Sequence, residues 1–191
     1  MQRQVRIVVY NARQCDPKKC TALKLKRLGL VRQVVQLRFL PKRAVVLNPF
    51  SETAFSPADR WRVEDFGLAG LDCSWEHAEK VLRKHVRGTS RCLPILVAGN
   101  PVNFGKPTKL ATAEALAGAL YIVGFREQAD ELLSVFKWGH TFLEINHERL
   151  EIYANAKDST EVVELQKRFM SGEKMQQDAG IVPTKKRKEN E

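Results

Sequence analysis

The sequence predicts an α/β protein, with a parallel sheet in its N-terminal half and an all-helical C-terminal half. Three observations carry this. Four short apolar runs, residues 5–10, 44–47, 70–73 and 93–98, are continuous rather than alternating, as strands buried on both faces are. Helix-like patterns lie between these runs, which implies crossover connections and parallel pairing. Beyond residue 109 the pattern becomes a repeated series of helix, stop and cap.

Taken in order, VRIVVY at 5–10 opens the sheet. A helix follows over 21–30, running from Thr21 to a glycine stop at Gly29. The 44–47 strand leads into Asn48-Pro49, and the 70–73 strand leads into Ser74, an N-cap for a helix over 74–86. LPILVA at 93–98 reads as the last strand. Residues 109–123 are Ala/Leu-rich and stop at Gly124, and residues 127–138 stop at Gly139, a C-cap glycine. Thr141-Phe-Leu-Glu144 and Asp158-Ser-Thr-Glu161 have capping-box spacing; they open one helix through Tyr153 and another over 162–170. The expected division is an N-terminal α/β part over 1–92, a mainly helical part over 93–170 and a disordered basic tail over 171–191.

The net charge is +10, and it is one-sided. Residues 1–43 hold twelve Lys or Arg and one acid, Asp16, so the remainder nets −1. Such a field suits a nucleic acid, whose phosphates release counterions when neutralised. The alternative is a solvated basic face with no partner. No apolar stretch approaches the ~20 residues a membrane span needs, and no signal peptide opens the chain. A cytoplasmic protein is expected. Cys15, Cys20, Cys73 and Cys92 contain no tight C-x2-C pair, so they read as reduced thiols rather than a metal site.

AGNPVNFGKPTKLATAEAL, residues 98–116, has the outline of a phosphate-binding loop. It fails that reading twice. Five residues separate Gly99 from Gly105 where the motif requires four, and Pro107 follows Lys106 where the motif requires a hydroxyl. Proline also offers no N–H to a phosphate. The dinucleotide fingerprint is absent too. What remains is a strand end, an Asn/Pro-rich loop and a helix start. Three further strand ends look alike, at YNARQCDPKKCTA, VVLNPFS and GLDCSW. Ligands in α/β sheets bind beyond the carboxyl ends of strands, so four such ends on one edge make a pocket. Leu47, Trp75 and Leu93 are candidates to wall an adenine there.

DPKKCTALKLKRLGLV, VLNPFSETAFSPAD, LDCSW, GNPVNFGKP and KWGHTFLEIN occur in this order between residues 16 and 146, within a match that covers roughly residues 5–156. Together they resemble the aminocarboxypropyltransferases of small-subunit ribosomal RNA. The resemblance implies a SPOUT-like fold with a knotted S-adenosylmethionine (SAM) site. It implies transfer of the 3-amino-3-carboxypropyl group of SAM to N3 of a hypermodified pseudouridine in small-subunit (16S/18S) rRNA. Carried over by motif, Thr21, Leu71, Leu93, Thr108 and Thr112 fall at cofactor contacts, while Leu47, Pro49, Trp75 and Leu110 fall at the adenine or side-chain walls. Position 108 is usually tyrosine in that family, and here it is Thr108. The implied partner is rRNA in the pre-ribosomal small subunit; a monomer without a metal site is the expectation from the residues.

Chemistry narrows the roles. The SAM sulfonium and amino group favour an aromatic face or a carboxylate, which points to Trp75 and Asp72. The acceptor nitrogen carries a proton at neutral pH, so Asp72 is the candidate catalytic group, either orienting the cofactor or assisting deprotonation. The alternative is a helix-capping Asp beside Ser74. Lys18, Lys19, Lys24, Lys26 and Arg27 flank Thr21 and are the candidate RNA contacts, since RNA bases are read where loops splay them out. Lys106 faces either the RNA or the cofactor carboxylate. A SPOUT-type methyltransferase and a non-catalytic rRNA-binding assembly factor are the competing functions.

Overall fold

The computed structural model describes residues 4–14, 16–17, 19–73 and 86–171. The helix expected over 74–86 and the tail with its KKRK run fall outside the described residues, apart from Val86 and Ser171.

Five parallel strands form one sheet in the order β2-β1-β4-β3-β5. They are β1 (Ile7–Asn11), β2 (Arg32–Val34), β3 (Val45–Leu47), β4 (Leu68–Asp72) and β5 (Thr89–Arg91). The three central strands are the apolar ones, because both of their faces are covered. Side chains alternate strictly. Ile7, Val9, Val45, Leu47 and Leu68 face the larger core, and Val8, Tyr10, Val46 and Ala69 face the smaller one. The edge strands β2 and β5 read RQV and TSR. Neither carries an apolar run, so periodicity does not reveal them.

The helices among the described residues are α1 (Thr21–Arg27), α2 (Arg60–Phe66), α3 (Thr112–Ile122), α4 (Arg126–Ser134), α5 (Gly139–Ile145), α6 (His147–Ala154) and α7 (Ser159–Ser171). The stop at Gly29 is built as expected. Gly29 has φ +75, its N–H donates to the Lys26 carbonyl, and Leu30 N–H donates to the Leu25 carbonyl. The larger core draws on both ends of the chain, from Val5 and Ile7 through Leu116 and Leu120 to Tyr153 and Val162. α3 lies on β4 at Gly70, where an added Cβ would meet Leu116 Cδ2 at 3.2 Å.

Three expectations need correction. Residues 93–98 form no strand of the sheet; Val97 makes an isolated antiparallel bridge with Pro107. Backbone groups of the 105–108 loop and side-chain amides bond this segment instead: Ala98 N–H donates to the Lys106 carbonyl (3.0 Å), and the Leu96 carbonyl accepts from Thr108 N–H (2.9 Å). Val97 N–H donates to Asn146 Oδ1 (2.7 Å), Asn146 Nδ2 donates back to the Val97 carbonyl (2.8 Å), and Ile95 N–H donates to Gln166 Oε1 (2.8 Å). An apolar run reports burial, not the identity of the hydrogen-bond partner. The same Asn146, fully buried, splits the expected helix through Tyr153 into α5 and α6. Gly139 is no C-cap either. It begins α5, and an added Cβ would run into the Leu133 carbonyl at the end of α4. The Asp158 cap does form: Asp158 Oδ1 accepts from Thr160 N–H (2.8 Å) and Glu161 N–H (3.1 Å).

Candidate active site at the carboxyl edge of the sheet

Strand order reverses at β1. The chain lays β2 to one side of it and β3, β4 and β5 to the other. A crevice opens beyond the carboxyl ends of neighbouring strands at such a point. Here those ends are Asn11 and Asp72, which are register partners of β1 and β4. A cleft of about 730 Å³ lies against Asp72, in the size range of small-molecule sites.

Asp72 ties three elements together at its floor. It is 8% exposed. Oδ2 accepts from Asn11 Nδ2 (3.1 Å, β1) and from the Cys20 thiol (3.1 Å), and Oδ1 accepts from the Thr112 hydroxyl (3.3 Å, α3). Cys20 caps α1, its sulfur accepting from Leu23 N–H (3.4 Å). Thr21 Oγ1 in turn accepts from Ala113 N–H (3.3 Å), joining the starts of α1 and α3. Burial first, and also the Asp72 carboxylate, push the Cys20 thiol up. The same causes raise the Cys73 thiol to about 11. Both thiols are therefore protonated at neutral pH, and Cys20 serves as a donor rather than a nucleophile.

The far wall is the loop from 98 to 111, held by a residue that sequence reading missed. Glu114, on the first turn of α3, is fully buried. Its Oε1 accepts from Gly99 N–H (2.7 Å) and Asn100 N–H (2.8 Å), and its Oε2 accepts from Asn100 Nδ2 (2.7 Å) and Ala111 N–H (2.6 Å). Only the last bond is the familiar reach of an N3 glutamate back to its N-cap. The spacing Ala111-x-x-Glu114 was the available signal; a missing Ser or Thr at the cap hid it.

Of the sequence-predicted site residues, the cleft gathers Thr21, Pro49, Leu71, Asp72, Leu110 and Thr112, with Lys19, Lys24 and Arg27 on the same lining. The lining leaves out four described ones, Leu47, Leu93, Thr108 and Lys26. Leu47 is buried in the larger core, Leu93 packs against that core, and Thr108 is exposed on the loop. Lys26 is exposed on α1. Lys18 and Trp75 lie outside the described residues. Sequence reading also passed over an aromatic pair on the lining: Phe136 and Trp138 stack with centroids 5.0 Å apart. Lys24 Nζ sits 4.8 Å from the Phe136 ring and donates to the Val135 carbonyl. This ammonium is fixed in place by the turn between α4 and α5. A second cleft of about 780 Å³ opens at the opposite edge, against Ile7, Arg32 and Leu68 at the strand beginnings. Ligand chemistry in parallel sheets belongs to the other edge.

Thr108 has φ +62, a left-handed conformation that is rare for a β-branched residue. Its N–H donates to the Leu96 carbonyl (2.9 Å), which holds it there. Thr108→Gly is therefore expected to raise stability by roughly 0.5–1 kcal/mol, read as a shift in the urea midpoint. A lower midpoint would mean that the threonine side chain makes a contact outweighing the strain.

Comparison with known proteins identifies the family. Residues 45–170 match the family model described as ribosome biogenesis protein, C-terminal. Residues 5–35 match a model described as a possible Fer4-like domain in RNase L inhibitor. An iron–sulfur cluster of that type takes four cysteine thiolates. This segment offers Cys15 and Cys20, and the Cys20 thiol is committed to Asp72, so the residues do not fit a cluster. The 16S rRNA aminocarboxypropyltransferase of Methanothermobacter thermautotrophicus is 53% identical over 170 residues, covering 88% of this chain and 100% of that one. That of Methanocaldococcus jannaschii is 47% identical over 165 residues, covering 86% and 96%. The solved structure of the SAM-dependent rRNA:acp-transferase Tsr3 from Vulcanisaeta distributa superposes with a TM-score of 0.78 at 39% identity, covering 88% of this chain and 97% of that one. With identity this high over almost the full length of these relatives, the chain belongs to the ribosome-biogenesis family of 16S rRNA aminocarboxypropyltransferases.

Proposed function

We propose that the protein transfers the 3-amino-3-carboxypropyl group of SAM to N3 of a hypermodified pseudouridine in small-subunit rRNA. The observation that carries this is the cleft at the Asn11–Asp72 strand ends, found in a chain of this family. Its residues fit such a cosubstrate. Pro49, Leu71 and Leu110 offer apolar surface, Thr21 and Thr112 offer hydroxyls, and a buried carboxylate lies on the floor. When bound, SAM supplies a carbon activated by the sulfonium, so that an N–C bond forms as a C–S bond breaks.

The chain's own contribution is position and charge. The Asp72 carboxylate, fixed by Asn11, Cys20 and Thr112, favours a cation in the cleft and is the candidate group to take the proton that N3 must lose. Holding one activated carbon at attack distance while burying the methyl would select the product. Trp75 belongs to the proposed cofactor wall by its motif, as do Leu47, Leu93 and Thr108. The part over 1–92 supplies the RNA-facing cations, and the part over 93–170 completes the cleft with the SPOUT-like knot. Among the described residues no helix is long and apolar enough to cross a membrane. A cytoplasmic monomer acting on the pre-ribosomal small subunit completes the proposal.

The test is incubation of small-subunit rRNA that carries the modified pseudouridine but lacks the aminocarboxypropyl group with SAM labelled either in the carboxylate or in the methyl. Carboxylate label in the RNA is the expected result. Methyl label would make the protein a methyltransferase, and no label would make it a binding factor. Lys19→Glu combined with Arg27→Glu is expected to weaken rRNA binding on the order of tenfold or more and to flatten its salt dependence, because two phosphate contacts are lost. SAM affinity should hold; a parallel loss of both would indicate misfolding.

A further inference from the structure

Two large apolar side chains stand in solvent two residues apart: Val102 is 71% exposed and Phe104 is 61% exposed. A lone apolar residue on a surface is ordinary. This pair differs in its support and in its surroundings.

Its loop is pinned from both sides. Glu114 fixes Gly99 and Asn100 from below. Asn103 N–H donates to Asn100 Oδ1 (3.1 Å), Gly105 N–H to the Ala98 carbonyl (2.8 Å), Lys106 N–H to the Asn103 carbonyl (2.9 Å) and Ala98 N–H to the Lys106 carbonyl (3.0 Å). Gly105, at φ +77, turns the chain back directly after Phe104. The ring is thus presented from an ordered tip, not from a slack segment.

The surroundings are the cleft and its cations. Val102 and Asn103 line the cleft, with Lys19 and Arg27 on the same lining. Phe104, exposed, follows Asn103 in the chain, and Lys106 is exposed two positions further on. An exposed aromatic on a fixed loop, beside cations and at the mouth of a pocket, has the chemistry that receives an unstacked base. The ring meets the π face while the cations meet the phosphates. An apolar protein partner would use the ring without needing the cations.

We infer that Phe104, flanked by Val102, is a stacking platform for a splayed base of the rRNA acceptor loop, and so a positioning residue for the acceptor. The inference rests on the rRNA-modifying reading of the cleft. It predicts that the 98–106 loop contacts RNA through a base face, while the basic segment around Thr21 contacts phosphate.

The probe is a short single-stranded oligouridine carrying one 2-aminopurine, titrated with the full-length protein. Wild type is expected to quench the fluorescent base by stacking. Phe104→Ala should lose the quench and bind on the order of tenfold more weakly. Phe104→Trp should restore both, and SAM affinity by calorimetry should stay unchanged throughout. The inference is overturned if wild type does not quench, or if Phe104→Ala binds the probe as wild type does. It is also overturned if Phe104→Ala loses SAM affinity in step with RNA, since the ring would then belong to the cofactor wall. Quenching does not depend on turnover. A wild-type protein that quenches but transfers no carboxylate label would sink the transferase reading and leave the platform standing.

Discussion

Glu114→Ala is expected to destroy SAM binding and to lower stability by about 3–5 kcal/mol. The fully buried carboxylate accepts from three backbone N–H groups and one side-chain amide. Removing it leaves four donors without partners, and each buried orphan costs about 1–3 kcal/mol. The loop would hydrate rather than bear the full sum, which limits the loss and disorders the wall formed by Asn100, Pro101, Val102 and Leu110. Glu114→Gln keeps the volume but points an NH₂ at donors, so it should lie between wild type and alanine. Thermal unfolding and SAM calorimetry on the three proteins check this. A melting temperature and SAM affinity close to wild type in Glu114→Ala would mean that water replaces the carboxylate at little cost. The loop would then not be the rigid support that Phe104 requires.

Asp72→Asn is expected to lower turnover at saturating SAM by about 10²-fold or more, the range for loss of a general base. The substitution is nearly isosteric, but its NH₂ must face Asn11 Nδ2, the Cys20 thiol or the Thr112 hydroxyl. The hydroxyl can turn to accept; the Asn11 amide can flip. The fold should therefore survive. Turnover and SAM affinity separate the two roles. A fall in turnover with unchanged SAM affinity assigns Asp72 to the acceptor's proton. A fall in affinity with turnover retained assigns it to the cofactor's positive charge. An unchanged rate and affinity would remove Asp72 from the site and leave it as the brace between β1, α1 and α3.

Much of the fold was legible because burial writes itself into composition. β1, β3 and β4 show as apolar runs, Gly29 and Gly124 mark helix ends at positive φ, and Asp158 announces α7. The polar edge strands β2 and β5 were not legible, because a strand with one open side needs no apolar residue. Residues 93–98 misled for the converse reason. They carry a strand-like apolar run, yet their backbone is bonded by Asn146 and Gln166, lying some 50 and 70 residues further along, and by the 105–108 loop rather than by a sheet neighbour. The candidate site divides in the same way. Asp72, Thr21 and Thr112 stood out in their motifs, and the fold brings them within hydrogen-bonding reach of one cluster. Glu114, Phe136, Trp138 and Phe104 did not stand out. A glutamate after an alanine cap, two aromatics near a helix end and a phenylalanine in a loop are each ordinary in one dimension.

The sequence alone determined the parallel α/β class, the basic N-terminal field and the rejection of a phosphate loop. Period, charge and proline are properties of neighbours along the chain, and so they survive being read as text. Tertiary structure alone decided that Asn11 and Asp72 end adjacent strands at the reversal of strand order. It also decided that one buried carboxylate holds the loop wall and that a solvent-facing ring stands beside the cleft. Those facts depend on strand order and on contacts between distant residues, which no local pattern encodes.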